Sequence, residues 1–330
     1  MTLRAALVTP LTGPLGAYGS AGAVALRLWA ELAGATLAVY DAHPDPVAAL
    51  RAAGRPDVLF GPYGSGAARA VFRRTDRLVW NHGGAEVLAG ARAVRVLAPA
   101  RTYFEGAVRA VVGFDPEVRR AAVRHGMSGF GRGVGGGAAE AARAVGLAVT
   151  VGPIGGRAPH ADLLLVAGGF AEERAAARQL LPGSWRAAGF VGAGTEEVLA
   201  ELGELREGLL GPAQWIASAA PDSDEGPTAV EFVAAYRRAT GGEPPYPAAQ
   251  AFAAGVLAAR CVRDAGGVDD AAVHAAAREL DCTTLFARFR LDPDTGEQVG
   301  HRVLTVQWQD GRRVVVWPPE RAQASLRPLR

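Results

Sequence analysis

Two glycine-rich turns are the places where this sequence could hold a charged group. The first lies in "VLFGPYGSGAARAV" (Val58–Val71), where Gly61–Gly66 separates an apolar run from an alanine-rich helical pattern. The second, "GFGRGVGGG", contains a formal GxGxxG from Gly131 to Gly136. Turns of this kind present backbone N–H groups at a helix N-terminus, which attract phosphate or carboxylate. A phosphate-loop NTPase also needs a lysine directly after its turn. All 35 Lys+Arg residues of this chain are arginine, so that chemistry and Schiff-base chemistry are both excluded. The first turn therefore reads as an anion site with Ser65 as helix N-cap, or as capping alone. The second sits in the context of a dinucleotide fingerprint. No clear acidic residue ends the next strand, "LAVTVG", and glycines that let a helix approach a sheet explain the pattern as well.

The remaining reactive residues form no constellation. "DPDTGE" (Asp292–Glu297) imitates a calcium loop, but its glycine falls one position early and Val303 stands at the twelfth place, so it reads as a hairpin turn. The six histidines are scattered without metal-ligand spacing. His82 follows a strand end in "VWNHGGAE" and reads as a solvated loop residue or one near a site. Glu172 and Glu173 read as solvated helix faces. No GxSxG elbow or nucleophile–base set occurs, so no catalytic residue, metal or cofactor is expected. Cys261 and Cys282 bracket one predicted helix and read either as a disulfide or as two buried thiols.

These residues sit on alternating elements. "LRAALV", "TLAVYD", "DVLF", "RLVWN" and "VRVLA" read as strands with helices between them. The rhythm restarts after "GFDPE" with "VRRAAVRHG", "LAVTVG", "ADLLLVAG" and "AAGFVG". Such alternation implies two doubly wound parallel sheets with helices on both faces, an α/β fold. A helix is expected over "TEEVLAEL". "TGGEPPYP" (Thr240–Pro247) is the strongest linker signal, and the end of the chain shows antiparallel strand patterning. At 330 residues two lobes are the default, and a net charge of +2 gives no support for nucleic-acid binding. No run reaches the roughly 20 apolar residues of a membrane span. The start, "MTLRAALVTP", has no signal-peptide pattern. Either a signal has been trimmed or the protein stays inside the cell.

Three segments, "VTPLTGPLGAYGSAGAVALRLWAE", "VYDAHPDPVAALRA" and "VLFGPYGSGAARAV", stand in this order, followed by "VAGGFAEERAAARQL", "EFVAAYRRATGGEPPYPAAQAFAAGVLAA" and "HRVLTVQWQDGRRVVVWP". Together they resemble the type I periplasmic-binding-protein superfamily, in its branched-chain amino acid (Leu/Ile/Val) ABC-transporter branch. The resemblance implies a two-lobed Venus-flytrap fold with three crossovers, near Gly113, Pro247 and Gly300. Lobe 1 would be 1–114 plus 248–300, and lobe 2 115–247 plus 301–330. It also implies a monomeric binder that closes on a small solute and passes it to an ABC permease, normally outside the cytoplasm. A cytosolic small-molecule sensor is the alternative with the same fold. A nucleotide-dependent α/β enzyme using Gly131–Gly136 is the reading from another class.

Residue by residue, the resemblance implies ligand contacts from Tyr18; from Gly64, Ser65 and Gly66; from Gly84 and Ala85; and from Tyr103, Phe130, Phe170, Gly194 and Thr195. The family's ammonium-binding carboxylate matches Gly194, which has no side chain to offer. Glu196 would replace it if the loop shifts by two residues. A buried ammonium without a partner is strongly unfavourable. The expected ligand therefore has a carboxylate or amide end and an apolar or aromatic body.

Overall fold

A computed structural model describes residues 2–85, 92–157, 160–195 and 197–329. The chain divides into two compact units, one formed by 1–98 and 215–302, the other by 99–214 and 303–330.

In the first unit the chain runs through β1 (Arg4–Thr9), α1 (Gly16–Ala33), β2 (Thr36–Asp41), α2 (Pro46–Ala53), β3 (Val58–Phe60), α3 (Ser65–Phe72), β4 (Val79–Asn81) and β5 (Ala93–Arg95). The strands form one parallel sheet in the order β2-β1-β3-β4-β5. Local signals start and stop the helices. Asp45 caps α2 by accepting from the N–H groups of Val47 and Ala48, with Pro46 at the first helical position. Gly34 ends α1 in the left-handed conformation.

The second unit contains α4 (Glu105–Phe114), β6 (Arg120–His125), α5 (Gly129–Ala144), β7 (Ala148–Pro153), β8 (Leu163–Ala167), α6 (Phe170–Leu180), β9 (Ala187–Phe190) and β10 (Leu210–Ala213). The chain then returns to the first unit as α7 (Ala229–Thr240), α8 (Tyr246–Asp264), α9 (Asp270–Glu279) and the small antiparallel pair β11 (Asp281–Thr283) and β12 (Arg288–Arg290). It ends in the second unit as a hairpin, β13 (Leu304–Gln309) and β14 (Arg312–Trp317). This unit's sheet has the order β14-β13-β10-β9-β8-β6-β7, parallel except at the hairpin side. Asp310 and Gly311, both at positive φ, make the two-residue turn that closes the hairpin. Every residue of β8, LLLVA, is buried, as a central parallel strand requires.

The crossings fall after Ala98, Gln214 and Arg302, not near Gly113 and Pro247. Packing explains both shifts. A side chain on Gly106 of α4 would overlap Trp317 and Thr305 of the terminal hairpin, so α4 lies against the second unit's strands. Phe232 of α7 packs on Trp215 and Phe252 in the first unit's core. "TGGEPPYP" is thus a turn between two helices of one unit. Arg237 N–H groups pair there with Glu243, and Gly241 supplies the left-handed C-cap. The described residues of "TEEVLAEL" form no α-helix; the chain makes 3-10 turns over Ala200–Arg206, broken at Gly203 with φ 53°. Both cysteines are buried and free.

The GxGxxG segment is also corrected. Gly131–Gly136 lies inside α5, not in a loop before it. A side chain on Gly131 would press on the Gly126 carbonyl, and one on Gly135 on the His125 ring. These glycines let the helix approach β6, and no phosphate-cradling loop exists at this place.

Candidate functional site

In the first unit, the loops leaving β1, β3 and β4 come together at the C-terminal edge of the sheet. Ligands of open α/β sheets bind at such edges. The Tyr63 N–H donates to Thr9 Oγ1 (3.3 Å) and the Gly64 N–H to the Gly83 carbonyl (2.9 Å). Asn81 locks the next loop, donating from Nδ2 to the Gly84 carbonyl and accepting from the Gly84 N–H. The packing leaves no room at Gly83, where a side chain would overlap Tyr63. Gly64, at φ 95°, is the N-cap residue of α3, and Ser65 is the first helical residue rather than the cap. Gly64, as a glycine, brings no side-chain cap of its own to α3.

Three tyrosines gather at this edge. Tyr18 of α1 stacks on Tyr63 of the glycine turn, ring centroids 5.1 Å apart and planes 9° from parallel. Tyr246, the first residue of α8, lies 6.3 Å from Tyr63 and 6.4 Å from Tyr18. The Tyr63 and Tyr246 hydroxyls hydrogen-bond to each other. Tyr63 is buried, while Tyr18 and Tyr246 are half-buried, so the cluster keeps an accessible side.

His82 is neither solvated nor on the surface. It is 1% exposed and lies against Gly22 of α1. Neither ring nitrogen makes a hydrogen bond of ordinary geometry, the Gly61 backbone being the nearest polar neighbour. Burial depresses its pKa to about 4, opposed only by the nearby Gly61 backbone.

In the second unit, Tyr103 and Phe130 form an edge-to-face pair at 5.7 Å. Tyr103 is buried and its hydroxyl accepts from Gln214 Nε2 (2.9 Å). Burial pushes its pKa up to about 12, so the phenol stays neutral. Phe170 opens α6, half-buried against a core cluster that includes Val166, Leu180 and Phe190. Gly194 closes a 3-10 turn after β9. A side chain there would overlap the Pro212 carbonyl, so no carboxylate can stand at 194. The Gly194 carbonyl accepts from Arg313 (2.6 Å), and Thr195 Oγ1 donates to the Gly192 carbonyl (3.1 Å). Glu196 lies outside the described residues.

A sequence model of the periplasmic binding protein family matches residues 2–313. The chain belongs to that family. Solved structures of family members share its fold. A leucine binding protein from Thermotoga maritima superposes with a TM-score of 0.75 at 18% identity, covering 95% of this chain and 97% of that one. A putative branched-chain amino acid ABC transporter protein from Silicibacter pomeroyi gives 0.76 at 14% identity, covering 99% and 98%. A solute binding protein of an R. palustris ABC transporter, in complex with benzoate, gives 0.71 at 17%, covering 96% of each chain. No curated protein sequence matches the chain.

Within this family member, Tyr18, Gly64, Ser65, Gly66, Gly84 and Ala85 share one edge of the first unit. Tyr103 pairs with Phe130 in the second. Sequence reasoning missed Tyr63 and Tyr246, although Tyr63 lies inside the quoted turn. It also missed Glu173, which is 1% exposed and accepts from the N–H groups of Gly168 (3.0 Å) and Gly192 (2.6 Å). Burial raises its pKa to about 8 against the pull of those backbone donors, with neighbouring Glu172 adding to the rise. Among the described residues no group of His, Cys, Asp and Glu could hold a metal ion, and no helix is long and apolar enough to cross a membrane.

Proposed function

We propose that this protein is the solute-binding component of an ABC uptake system. Its ligand is a small organic molecule with a carboxylate or amide end and an apolar or aromatic body. The observation that carries the ligand class is the tyrosine cluster beside the glycine-capped start of α3. The helix start of α3 around Gly66 takes the anionic or amide end, and the accessible side of Tyr18 and Tyr246 packs on the body. Gly84 and Ala85 give the ligand close backbone approach. In the second unit, Tyr103, Phe130, Phe170 and Thr195 are the residues proposed to meet a ligand. Binding follows the hinge closure expected of the family, in which ligand shifts the population toward the closed form and nothing is chemically transformed. The protein works as a monomer outside the cytoplasm and delivers its ligand to a permease.

Two facts support an aromatic or apolar acid over a zwitterionic amino acid. The resemblance puts the ammonium-binding carboxylate at the place of Gly194, which has neither a side chain nor room for one. A fold relative at 17% identity holds benzoate. A thermal-shift panel of benzoate, L-leucine, NAD and ATP tests the reading. A ligand at a hundredfold excess over its Kd adds about 2.7 kcal/mol of stability. Benzoate is expected to raise Tm more than L-leucine. Stabilisation by NAD or ATP alone would refute the proposal.

A further inference from the structure

Glu173 is the one fully buried carboxyl among the described residues, and none of the described cations pairs with it. A buried acid without a cation is costly, and an apolar side chain of similar size would fill the place more cheaply. What the carboxyl does there is specific. β8 and β9 are neighbouring parallel strands, and their hydrogen-bond ladder runs out at their C-terminal ends. Just beyond those ends, Oε1 accepts from the Gly168 N–H and Oε2 from the Gly192 N–H. Both tethered residues are glycines with no space for a side chain. At 168 it would press on Ile154, and at 192 on Val198 and on the Glu173 carboxyl itself. The loop from Gly168 carries Phe170 two residues on, and the turn from Gly192 carries Thr195 three residues on. One side chain thus holds two adjacent strand-end loops at one spacing.

We propose that Glu173 is a positioning residue that fixes these two loops relative to each other, so that Phe170 and Thr195 meet a ligand together. This rests on the proposed function above. The test uses the full chain as wild type, E173A, E173Q and L180A. Leu180 lies on the same buried face of α6 but touches neither loop's N–H groups, so L180A reports the effect of a weakened core alone. Benzoate and L-leucine are titrated calorimetrically, and amide hydrogen exchange is followed at 168–170 and 192–195. For whichever probe binds the wild type, E173A is expected to lose tenfold or more in affinity. E173Q keeps one acceptor and should lose less, while L180A should stay within twofold. Exchange at both loops should speed up together in E173A and not in L180A. Affinity in E173A equal to wild type, or a loss no larger than in L180A, overturns the proposal. If neither probe binds the wild type, the ligand class proposed above fails. Exchange then decides the clamp alone, and loops that fail to loosen together in E173A overturn it.

Discussion

Replacing His82 by leucine should change the pH dependence of stability more than stability itself. The imidazole is buried, its nitrogens have only the weak pull of the Gly61 backbone, and burial depresses its pKa to about 4. In the unfolded chain it returns to about 6.5. Between these values the unfolded state binds the proton and the native state does not. Native stability is therefore fully present above about 6.5 and is lost as pH falls toward 4. At about 1.36 kcal/mol per unit, going from pH 7.5 to pH 5 costs the wild type about 2 kcal/mol through this residue. Leucine has nearly the same volume and no polar atom, and exchanging a buried polar group for an apolar one of the same shape is close to neutral. H82L should thus lie within about 1 kcal/mol of wild type at pH 7.5 and be about 2 kcal/mol more stable at pH 5. Urea unfolding at both pH values, followed by exchange protection of the β1 and β4 amides, measures this. An H82L protein with the same acid loss as wild type refutes the argument. So does one that loses about 3 kcal/mol or more at both pH values, since the ring would then have partners that matter.

Glu173 should give the opposite slope in the second unit. A carboxyl raised from about 4.3 to about 8 retains its proton in the native state, so stability falls by about 3 kcal/mol between pH 5 and pH 7.5. Exchange protection measured at both pH values should move in opposite directions in the two units. G194A should destabilise the second unit by about 2 kcal/mol or more, because its Cβ overlaps the Pro212 carbonyl, and thermal unfolding reads this directly. G137A meets the Arg101 carbonyl in the same way, whereas G136A, with open space around it, should be neutral or slightly stabilising as alanine in a helix. Y18A should weaken benzoate binding by about tenfold in calorimetry, while leaving Tm without ligand within a few degrees. Cys261 and Cys282 are buried, with thiol pKa values pushed up to about 12, so a thiol reagent should label neither at pH 8 until denaturant is added.

The alternation of strands and helices was readable because parallel strands covered on both faces must be continuous apolar runs, and β1, β3 and β8 are such runs. The first two crossings were not readable, and the third was placed near Gly300 only by the family resemblance. All three fall in short extended stretches, "LAPA", "PAQW" and "GHRV", that carry no mark of composition. "TGGEPPYP" carried every mark and is only a turn between α7 and α8. Glycine and proline report where a helix must stop, and a helix stops for the same reason at a hairpin as at a hinge. What separates the two is which core the following helix joins, and that depends on long-range contacts such as Phe232 on Phe252.

The same limit explains the site. The Gly61–Gly66 turn was visible because it follows a strand end in sequence, and Tyr18 because the resembled family has a tyrosine at its place. Tyr246 reaches the same edge from more than 180 residues after Tyr63, so no local pattern could place it. Glu173 is a different case, because its signal was present. Ala176, Ala177 and Leu180 set the buried stripe of α6, and counting back by four and by three puts Glu173 on that stripe and Glu172 outside it. An acid on the apolar stripe of a helix breaks the pattern of its own element, and a chain accepts that cost where backbone donors at a strand end need an acceptor. Helix phase, read from the alanines rather than from the charges, is therefore the sequence feature that leads to the residue holding the second unit's loops.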